Sequence, residues 1–394
     1  MSNRIFIVSL MRARGDTGLQ AHVNSFFSYL DENEVPVQLV TPYDRGMWIW
    51  YPLFAFRYVI EWFSRPTSVL WYRYIRFYAL KFRLKKLLRD KISTVLYAQC
   101  PVSAESCLRA RPVQSQRVVM VAHFNVSQAD EWVGQGYLQV EDSVWRAIRA
   151  LEATVLPNLD GIVFVSTFTR DLILQRIPSV NKIRNKVIPN FVREPKSSCT
   201  RPNRDDAEFA LLSIGTLEPR KNQQYLLEIV AMTRVEIPSL KLTIIGDGPD
   251  RQMLEQQVLN LGLEGCVNFR GKVVGAADLL PQFDAFIHVA KMESFGIVII
   301  EAMAAGLPVF ACPVGGVPEV FTNGLEGYFL PLDNAQEAAK ILSKALKSND
   351  HVAKLGKAAR ARFQATFDQL IVGKNLLDFL LLDDSSNCAH KDMR

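Results

Sequence analysis

Apolar and polar residues follow one another along the start of the chain in the order expected for strand, loop, helix and strand. Residues 4–10 form a short apolar run, and residues 12–18 form a polar loop that contains glycine. Residues 19–30 carry apolar side chains at helical spacing, and residues 35–41 form the next apolar run. The pattern predicts a β–loop–α–β opening, as at the start of a doubly wound parallel sheet.

The same pattern continues towards residue 190 and begins again near residue 209. In the first half, further strands are predicted at residues 93–98, 117–122, 161–166 and 186–189. In the second half, strands are predicted at residues 209–214, 240–245, 266–269, 285–289, 308–311 and 327–330. Helical segments separate these runs, and two helices, at 335–348 and 351–382, close the chain. Strands that alternate with helices predict an α/β fold with parallel sheets.

The length of 394 residues exceeds what one ordinary core accommodates and suggests two domains. A polar stretch rich in Pro, Ser, Arg and Asp separates the two halves and is interpreted as a linker. We therefore predict an N-terminal domain at 1–194, a linker at 195–207, a C-terminal domain at 208–365, a helix at 366–382 that returns to the first domain, and a polar tail at 383–394.

The composition, 49% hydrophobic and 22% charged, is that of a globular protein. Six cysteines show neither a CxxC pair nor metal-ligand spacing, which predicts free thiols in a reducing compartment. We recognise no secretory signal and no apolar window of membrane-spanning length. These observations predict a cytoplasmic protein without a transmembrane helix.

The net charge of +6 is concentrated in one aromatic segment, residues 47–91. Residues 1–190 carry +9, and the rest of the chain carries −3. Between Arg57 and Lys91, ten basic residues stand against two acids, among many aromatic rings. Rings and cations together are typical of a membrane interface, so we predict peripheral contact with an anionic membrane surface. The alternative is a pair of helices with packed aromatics and solvated charges. No nucleic-acid module is recognised, and no such partner is predicted.

The most specific motif lies within residues 291–321. Glu293 and Glu301 stand eight positions apart, and Ser294-Phe295-Gly296 precedes an apolar run that predicts a helix from Ile297. A helix that begins there directs free amide groups and its positive dipole end at the ligand in front, which suits a phosphate. Two carboxylates at this spacing could hold a nucleotide-sugar, Glu293 at the sugar and Glu301 at the ribose. The alternative is a plain strand–turn–helix with two solvated glutamates.

This stretch resembles the E-x7-E signature of the retaining glycosyltransferases of family 4. The resemblance includes the SFG, EAMAAGLPV and VGGVPEV runs, and extends to IGDGP at 245–249, FRGKV at 269–273 and VIPNFV at 187–192. It implies a GT-B fold, in which two Rossmann-like doubly wound domains face a central cleft. The donor would bind the C-terminal half and the acceptor the N-terminal half. It also implies transfer with retention by front-face substitution, with Glu293 orienting the donor sugar.

The resemblance also assigns donor contacts in the C-terminal half. GTLEPRKN, which opens at Gly215, resembles an element that supplies an arginine and a lysine to the donor diphosphate, where fixed cations stabilise the leaving group. Lys221 matches the lysine, whereas Thr216 occupies the usual arginine position. Arg220 is the candidate replacement, and a solvated basic turn is the alternative. The other predicted donor contacts are Lys272, Ser294, Phe295, Gly296, Ile297 and Glu301.

Two predicted site residues come from the N-terminal half. Gly18 matches one glycine of a pair that lies near the donor phosphates in the family, and Thr17 replaces the other. His123 follows a predicted strand, at the edge where doubly wound sheets bind ligands. The resemblance implies that His123 approaches the sugar; a connecting turn at Gly18 and a structural histidine are the alternatives. The predicted catalytic residues are His123, Lys221 and Glu293.

Neither a metal nor a cofactor is predicted, and the Asp205-Asp206 pair lies in the predicted linker. The predicted activity is that of a metal-independent hexosyltransferase of surface polysaccharide assembly. It would move a sugar from GDP-mannose, or from a UDP-sugar, to a lipid-linked saccharide acceptor at the inner face of the membrane. Two alternatives remain open: another GT-B enzyme, such as a nucleotide-sugar epimerase or a phosphorylase, and an inactive sugar-binding scaffold, which Thr216 leaves possible.

Overall fold

Two parallel β-sheets with helices packed on them form the described part of the chain. The structure is a computed structural model, and it describes residues 4–12, 15, 18–44, 46–194 and 208–382. Within these residues each sheet has six strands, and every strand pair is parallel. The predicted fold class, two doubly wound α/β units, is therefore confirmed.

Both sheets are doubly wound, but their strand orders differ. The N-terminal sheet contains β1 (Arg4–Val8), β2 (Val37–Val40), β3 (Thr94–Ala98), β4 (Gln116–Ala122), β5 (Gly161–Phe164) and β6 (Asn185–Val187). Its spatial order is β2-β1-β3-β4-β5-β6. The C-terminal sheet contains β7 (Phe209–Ile214), β8 (Leu240–Ile245), β9 (Val267–Gly271), β10 (Ala285–His288), β11 (Val309–Ala311) and β12 (Gly327–Phe329). Its order is β12-β11-β10-β7-β8-β9.

The helices connect these strands and cover both faces of each sheet. The first half has α1 (Gly18–Glu32), α2 (Tyr51–Phe63), α3 (Arg65–Leu87), α4 (Pro101–Leu108), α5 (Gln128–Gly134), α6 (Ser143–Val155) and α7 (Thr167–Arg176). The second half has α8 (Gln223–Glu236), α9 (Arg251–Asn260), α10 (Ile297–Ala304), α11 (Val317–Val320), α12 (Ala335–Leu346), α13 (Asn349–Thr366) and α14 (Gln369–Leu381). The sequence pattern did not predict α5.

Alternate residues along the strands join different cores, as the two-residue period of a strand requires. In β1, Ile5 joins the core that α1 covers, whereas Phe6 joins the core that α3 and α4 cover. The first of these cores continues through Phe191 to Phe295 and Ile297 in the second half. The two halves therefore contact each other through a shared apolar cluster, which holds α10 beside α1.

The last helical segment departs from the sequence prediction. One helix was predicted over 351–382, but α13 ends at Thr366 and α14 begins after Asp368. The side chain of Asp368 accepts a hydrogen bond from the Leu370 amide at 2.8 Å, which caps α14. Apolar spacing alone conceals this break. α14 packs against α1, where Gly373 lies beside the ring of Tyr29.

The aromatic segment 47–91 forms two antiparallel helices, α2 and α3, which we call the α2–α3 hairpin. They meet at Ser64, whose side chain accepts a hydrogen bond from the Thr67 amide at 3.3 Å and caps α3. Phe54 is the one buried residue of α2, whereas α3 buries a stripe that continues into the N-terminal core. The hairpin is thus attached along α3 and exposed along α2.

The predicted linker 195–207 and tail 383–394 lie outside the described residues, and the predicted domain bounds remain predictions. Cys100, Cys107, Cys266 and Cys312 are free and buried, and Cys199 and Cys388 lie outside the described residues. Within the described ranges, no helix combines the length and apolar character needed to span a bilayer.

Candidate active site

The turn between β10 and α10 places Glu293 at the carboxyl edge of the C-terminal sheet. Gly296 has φ +93°, and a Cβ there would lie 2.8 Å from Cδ1 of Ile299, so glycine is required at the helix start. The loop is held from behind by Gly316, whose amide donates a hydrogen bond to the Glu293 carbonyl at 3.1 Å. As predicted, the helix begins at Ile297, directly after this turn.

Glu293 lies between two basic side chains. Lys221 Nζ lies 2.7 Å from Glu293 Oε2, and His288 Nε2 lies 3.1 Å from the same oxygen. Burial disfavours the charged carboxylate, but Lys221 and His288 outweigh it and hold the pKa of Glu293 well below its usual range. Burial lowers the pKa of His288. The site therefore holds an ionised glutamate, a lysine ammonium and a neutral histidine that donates to the glutamate; we call these three the Glu293 cluster.

His288 was missed by the sequence analysis. It is the last residue of β10 and lies at a strand's carboxyl end, the same position that singled out His123. The sequence therefore carried the signal. Its role follows only from the structure, because a strand-end histidine is recognised as a partner of Glu293 only when the turn is in place.

The loop between β7 and α8 presents Lys221 to Glu293. Gly215 lies directly against Gly246 in the adjacent loop, where a larger residue at position 246 would overlap the Gly215 carbonyl. Thr216 is exposed and supplies no cation. Arg220, its predicted replacement, is half-buried and pairs with Glu218 at 2.5 Å. Arg220 is therefore close to the Glu293 cluster, and its charge is paired with that of Glu218.

Three side chains tie the two halves together at this edge. Ser294 Oγ donates a hydrogen bond to the His123 carbonyl at 2.8 Å, and Ser166 Oγ donates to the Ser294 carbonyl at 2.8 Å. Glu319 accepts hydrogen bonds from the first amides of α7, at 2.7 and 2.8 Å. The structure thus brings the region around His123 to the Glu293 turn, although sequence patterns could not show that the two meet.

His123 is half-buried beside His22 and Gln99. Its ring lies 4.8 Å from the ring of His22, and its Nε2 lies 3.4 Å from Oε1 of Gln99. Burial, and then His22, lower the pKa of His123 well below its usual value. His123 is thus neutral at pH 7. A further carboxyl near this site belongs to Glu131 on α5. Burial raises the pKa of Glu131, the charge of Arg220 lowers it, and the charge of Glu293 raises it.

The start of α1 reaches the start of α10. A Cβ at Gly18 would lie 3.4 Å from Cδ1 of Ile297, so the two helix N-termini converge on the same space. Because each helix end directs unpaired amide groups outward, their convergence favours an anion between them. This geometry is compatible with the predicted phosphate contacts of Gly18, Gly296 and Ile297.

Glu301 lies one turn further along α10. Burial, and then the charge of Asp278, raise the pKa of its carboxyl to about 7. Among the described residues the Glu301 carboxyl forms no ion pair and accepts no hydrogen bond, so it is available to a ligand hydroxyl. Glu301 and Glu293 are therefore chemically unlike: one is held ionised, and the other titrates near neutrality.

Two further predicted donor contacts differ in the exposure of their side chains. Phe295 is 2% exposed and stacks edge-on against Phe367 in the core, which leaves only its backbone for a ligand. Lys272 is exposed after β9. No cluster of three metal-ligating side chains occurs in the described part of the chain.

The fold and the Glu293 cluster of the C-terminal half define a GT-B glycosyltransferase. Two family models match the chain: Glycosyltransferase Family 4 over residues 17–194, and Glycosyl transferases group 1 over residues 200–362. Together they cover both halves. The chain belongs to the glycosyltransferases of the family 4 type, and the recognised resemblance is confirmed.

Individual relatives agree with this assignment. The chain is 30% identical over 184 residues to N-acetyl-alpha-D-glucosaminyl L-malate synthase of Bacillus anthracis, over 46% of this chain and about half (48%) of that protein. It is 27% identical over 326 residues to the GDP-mannose-dependent alpha-(1-6)-phosphatidylinositol monomannoside mannosyltransferase of Mycobacterium tuberculosis, over 77% and 80% of the two chains. Among solved structures, Anabaena HepE in complex with UDP and glucose matches with a TM-score of 0.69 at 18% identity, over 96% and 99% of the two chains.

Proposed function

We propose that this chain transfers a hexose, with retention, from a nucleoside-diphosphate sugar to a lipid-linked saccharide acceptor in surface polysaccharide assembly. The single observation that carries the proposal is the Glu293 cluster, which lies directly before the N-terminus of α10. A buried ion pair that faces converging helix ends suits a diphosphate and the sugar attached to it.

The donor diphosphate binds between Lys221 and the N-termini of α10 and α1. When the sugar–phosphate bond weakens, negative charge develops on the leaving diphosphate, and Lys221 and the helix amides stabilise it. Glu301 accepts a hydrogen bond from a ribose hydroxyl. The neutral His288 keeps the Glu293 carboxylate in place while Lys221 is shared with the phosphate.

The proposed reaction exchanges one bond to the anomeric carbon on one face of the sugar. The bond from that carbon to the phosphate oxygen breaks, and the acceptor hydroxyl oxygen forms the new bond from the same side. The hydroxyl proton passes to the departing phosphate oxygen, so no protein base is needed. Glu293 contacts hydroxyl groups of the donor sugar and orients it. His123, on the acceptor side, contacts the sugar through its ring or carbonyl.

GDP-mannose is the proposed donor, with a UDP-sugar as the second choice. The mycobacterial relative is a GDP-mannose-dependent mannosyltransferase that acts on phosphatidylinositol monomannoside. HepE was solved with UDP and glucose. The mycobacterial relative supports both GDP-mannose and a lipid-linked acceptor. HepE is the reason that UDP-sugars remain the second choice.

Membrane contact is proposed for the exposed side of the α2–α3 hairpin. Trp48, Tyr58, Trp62 and Phe63 are each more than 70% exposed. Other rings are used internally: the Arg76 guanidinium lies 3.5 Å above the centre of the Tyr72 ring. The two alternatives stated for this segment therefore apply to different faces. The inner face packs on the domain, and the outer face presents rings and cations as an interfacial surface does.

Nucleotide release tests the proposed reaction. GDP-mannose, UDP-glucose and UDP-N-acetylglucosamine are incubated with the chain, with and without a polyprenyl-diphosphate-linked saccharide. We expect acceptor-dependent release of one nucleoside diphosphate. Conversion of the donor sugar without nucleotide release would indicate an epimerase. Binding without turnover would indicate an inactive scaffold, and either result would reject the proposal.

A further inference from the structure

A cavity lies on the face of the N-terminal sheet opposite α1, between α3, α4 and α6. Its volume is about 460 Å³, within the range of roughly 300–1,000 Å³ that is usual for small-molecule sites. Much of the wall is apolar and comes from Leu70, Phe77, Val102, Ile148 and Leu151. None of the residues assigned above to the donor or the acceptor lines this cavity.

A buried arginine forms part of the cavity wall. Arg73 is only 8% exposed, and its Nη1 donates a hydrogen bond to Oε1 of Gln128 at 2.8 Å. Its Nη2 is buried and has no hydrogen-bond partner within the described ranges. A buried guanidinium group without full pairing is energetically costly, because its charge has lost contact with water.

The acid that could neutralise Arg73 is already engaged. Glu152 is fully buried, and Arg176 Nη2 lies 2.7 Å from one of its oxygens. The Gln128 amide donates to the other oxygen at 2.9 Å. Two guanidinium groups therefore share one buried carboxylate, which leaves a surplus positive charge beside the cavity.

The remaining charged groups of the lining add to this positive charge. Lys81 and Arg109 line the cavity together with one acid, Glu105, which pairs with Arg109 at 3.0 Å. The Lys81 ammonium lies 5.5 Å from the centre of the Phe77 ring, at the cavity wall. An apolar cavity with excess positive charge is complementary to a molecule that has an apolar body and an anionic group.

We propose that this cavity binds an anionic amphiphile, whose phosphate or carboxylate group pairs with Arg73 while its apolar chain lies against Leu70, Phe77 and Leu151. The mouth is on the exposed side of α3, where Tyr74 is 59% exposed. The amphiphile is a lipid with an anionic head. It comes either from a bilayer or from a monomeric lipid phosphate, and this second site is separate from the transfer reaction.

Calorimetry with dodecyl phosphate, below its critical micelle concentration, tests the site. Wild type is expected to bind one equivalent, to bind dodecanol at least tenfold more weakly, and to show no binding of inorganic phosphate. Arg73→Met, which removes the charge, and Ala147→Trp, which fills the cavity from α6, should each weaken dodecyl phosphate binding at least tenfold. Val235→Ser, at an exposed position of α8 outside the lining, should bind as wild type does.

A competition experiment distinguishes the two sources of the lipid. Phosphatidylglycerol vesicles that displace dodecyl phosphate from wild type identify a bilayer lipid as the ligand. Failure of the vesicles to compete identifies a monomeric lipid. The proposal is overturned if dodecyl phosphate does not bind wild type, or if both cavity variants bind it as wild type does. Nucleotide binding by each variant reports that the fold is intact, so failure here is separate from failure of the transferase assignment.

Discussion

The Glu293 cluster and the α2–α3 hairpin use positive charge in opposite ways. The Lys221 side chain is only 14% exposed, with its ammonium fixed 2.7 Å from a carboxylate. Lys85 and Lys86 at the end of α3 are exposed, and no ion pair within the described ranges holds them. A fixed charge in a water-poor site acts strongly at one point, whereas exposed charges act together at a distance and are screened by salt. The first arrangement suits chemistry, and the second suits attraction to an extended surface.

The largest expected effect comes from breaking the Glu293 cluster. Lys221→Ala and Glu293→Ala should each lower turnover by about 100-fold or more, as expected for loss of a preorganised electrostatic contact. Nucleotide release at saturating donor measures this. Lys291→Ala, an exposed lysine in the same turn, is the matched control and should keep near wild-type activity. Near-native turnover in Lys221→Ala and Glu293→Ala would remove both residues from the mechanism.

The hairpin should show a smaller, salt-dependent effect. Each basic residue near an anionic bilayer contributes about 1 kcal/mol, so Lys85→Ser with Lys86→Ser should weaken vesicle binding by roughly 30-fold at low salt. Arg83 is kept, because it pairs with Asp44 at 3.3 Å. Vesicle co-sedimentation across a salt series gives the measurement.

Two exposed lysines of α13, Lys354 and Lys357, provide the control for the hairpin experiment. Their replacement by serine changes the net charge equally, and it should leave vesicle binding unchanged. Equal, weak binding of wild type to neutral and anionic vesicles would refute membrane docking and favour a protein interface.

A several-fold pH effect is expected at Glu301. Its carboxyl, with a pKa of about 7, accepts a stronger hydrogen bond from the ribose when it is ionised. Affinity for the nucleoside diphosphate should therefore rise between pH 6 and pH 8 by more in wild type than in Glu301→Gln. Titration calorimetry at both pH values measures the difference. Identical pH profiles would show that Glu301 does not contact the nucleotide.

The raised pKa of Glu301 also predicts how the stability of the protein without ligand depends on pH. Its pKa is about 7 when folded and 4.5 as a reference value. Because the pKa is raised in the folded state, the contribution of Glu301 to the free energy of unfolding is fully present below about pH 4.5. That contribution is lost as the pH rises through 7. Glu301→Gln should show less loss of thermal stability over that interval than wild type does. A parallel loss in both proteins would contradict the assigned pKa.

Removal of metal ions by a chelator is expected to have no effect on activity. In the proposed mechanism, Lys221 and the N-terminus of α10 supply the charge that stabilises the leaving diphosphate, so activity should persist in excess EDTA. The rate of nucleotide release with and without chelator tests this. Complete loss of turnover, restored by Mg²⁺ or Mn²⁺, would require a metal in the mechanism.

Much of the fold could be predicted because each strand is a short apolar run with a turn at its end. The break at Asp368 could not, because the apolar spacing continues across it. The side chain of Phe295 was assigned to the donor because it lies inside the motif. Its contact with Phe367 arises from a segment more than 70 positions away, beyond the reach of local patterns.

The two regions also differ in how far the sequence could predict them. Two motifs of the resembled family assigned Lys221 and Glu293 to one donor site, but the ion pair between them was not predicted. The division of the hairpin into a packed and an exposed face depends on contacts such as Arg76 with Tyr72, which composition alone does not specify. His288 falls between these cases: its position at a strand end was visible, but its partner was not.

The stereochemistry of the product tests the central claim most directly. The disaccharide unit formed from GDP-mannose, or from whichever donor releases nucleotide, is examined by proton NMR through its anomeric carbon–hydrogen coupling. A retaining transferase that depends on the Glu293 cluster gives a product with the anomeric configuration of the donor, and Glu293→Ala gives almost none. An inverted product, or full product formation by Glu293→Ala, would contradict the proposed mechanism.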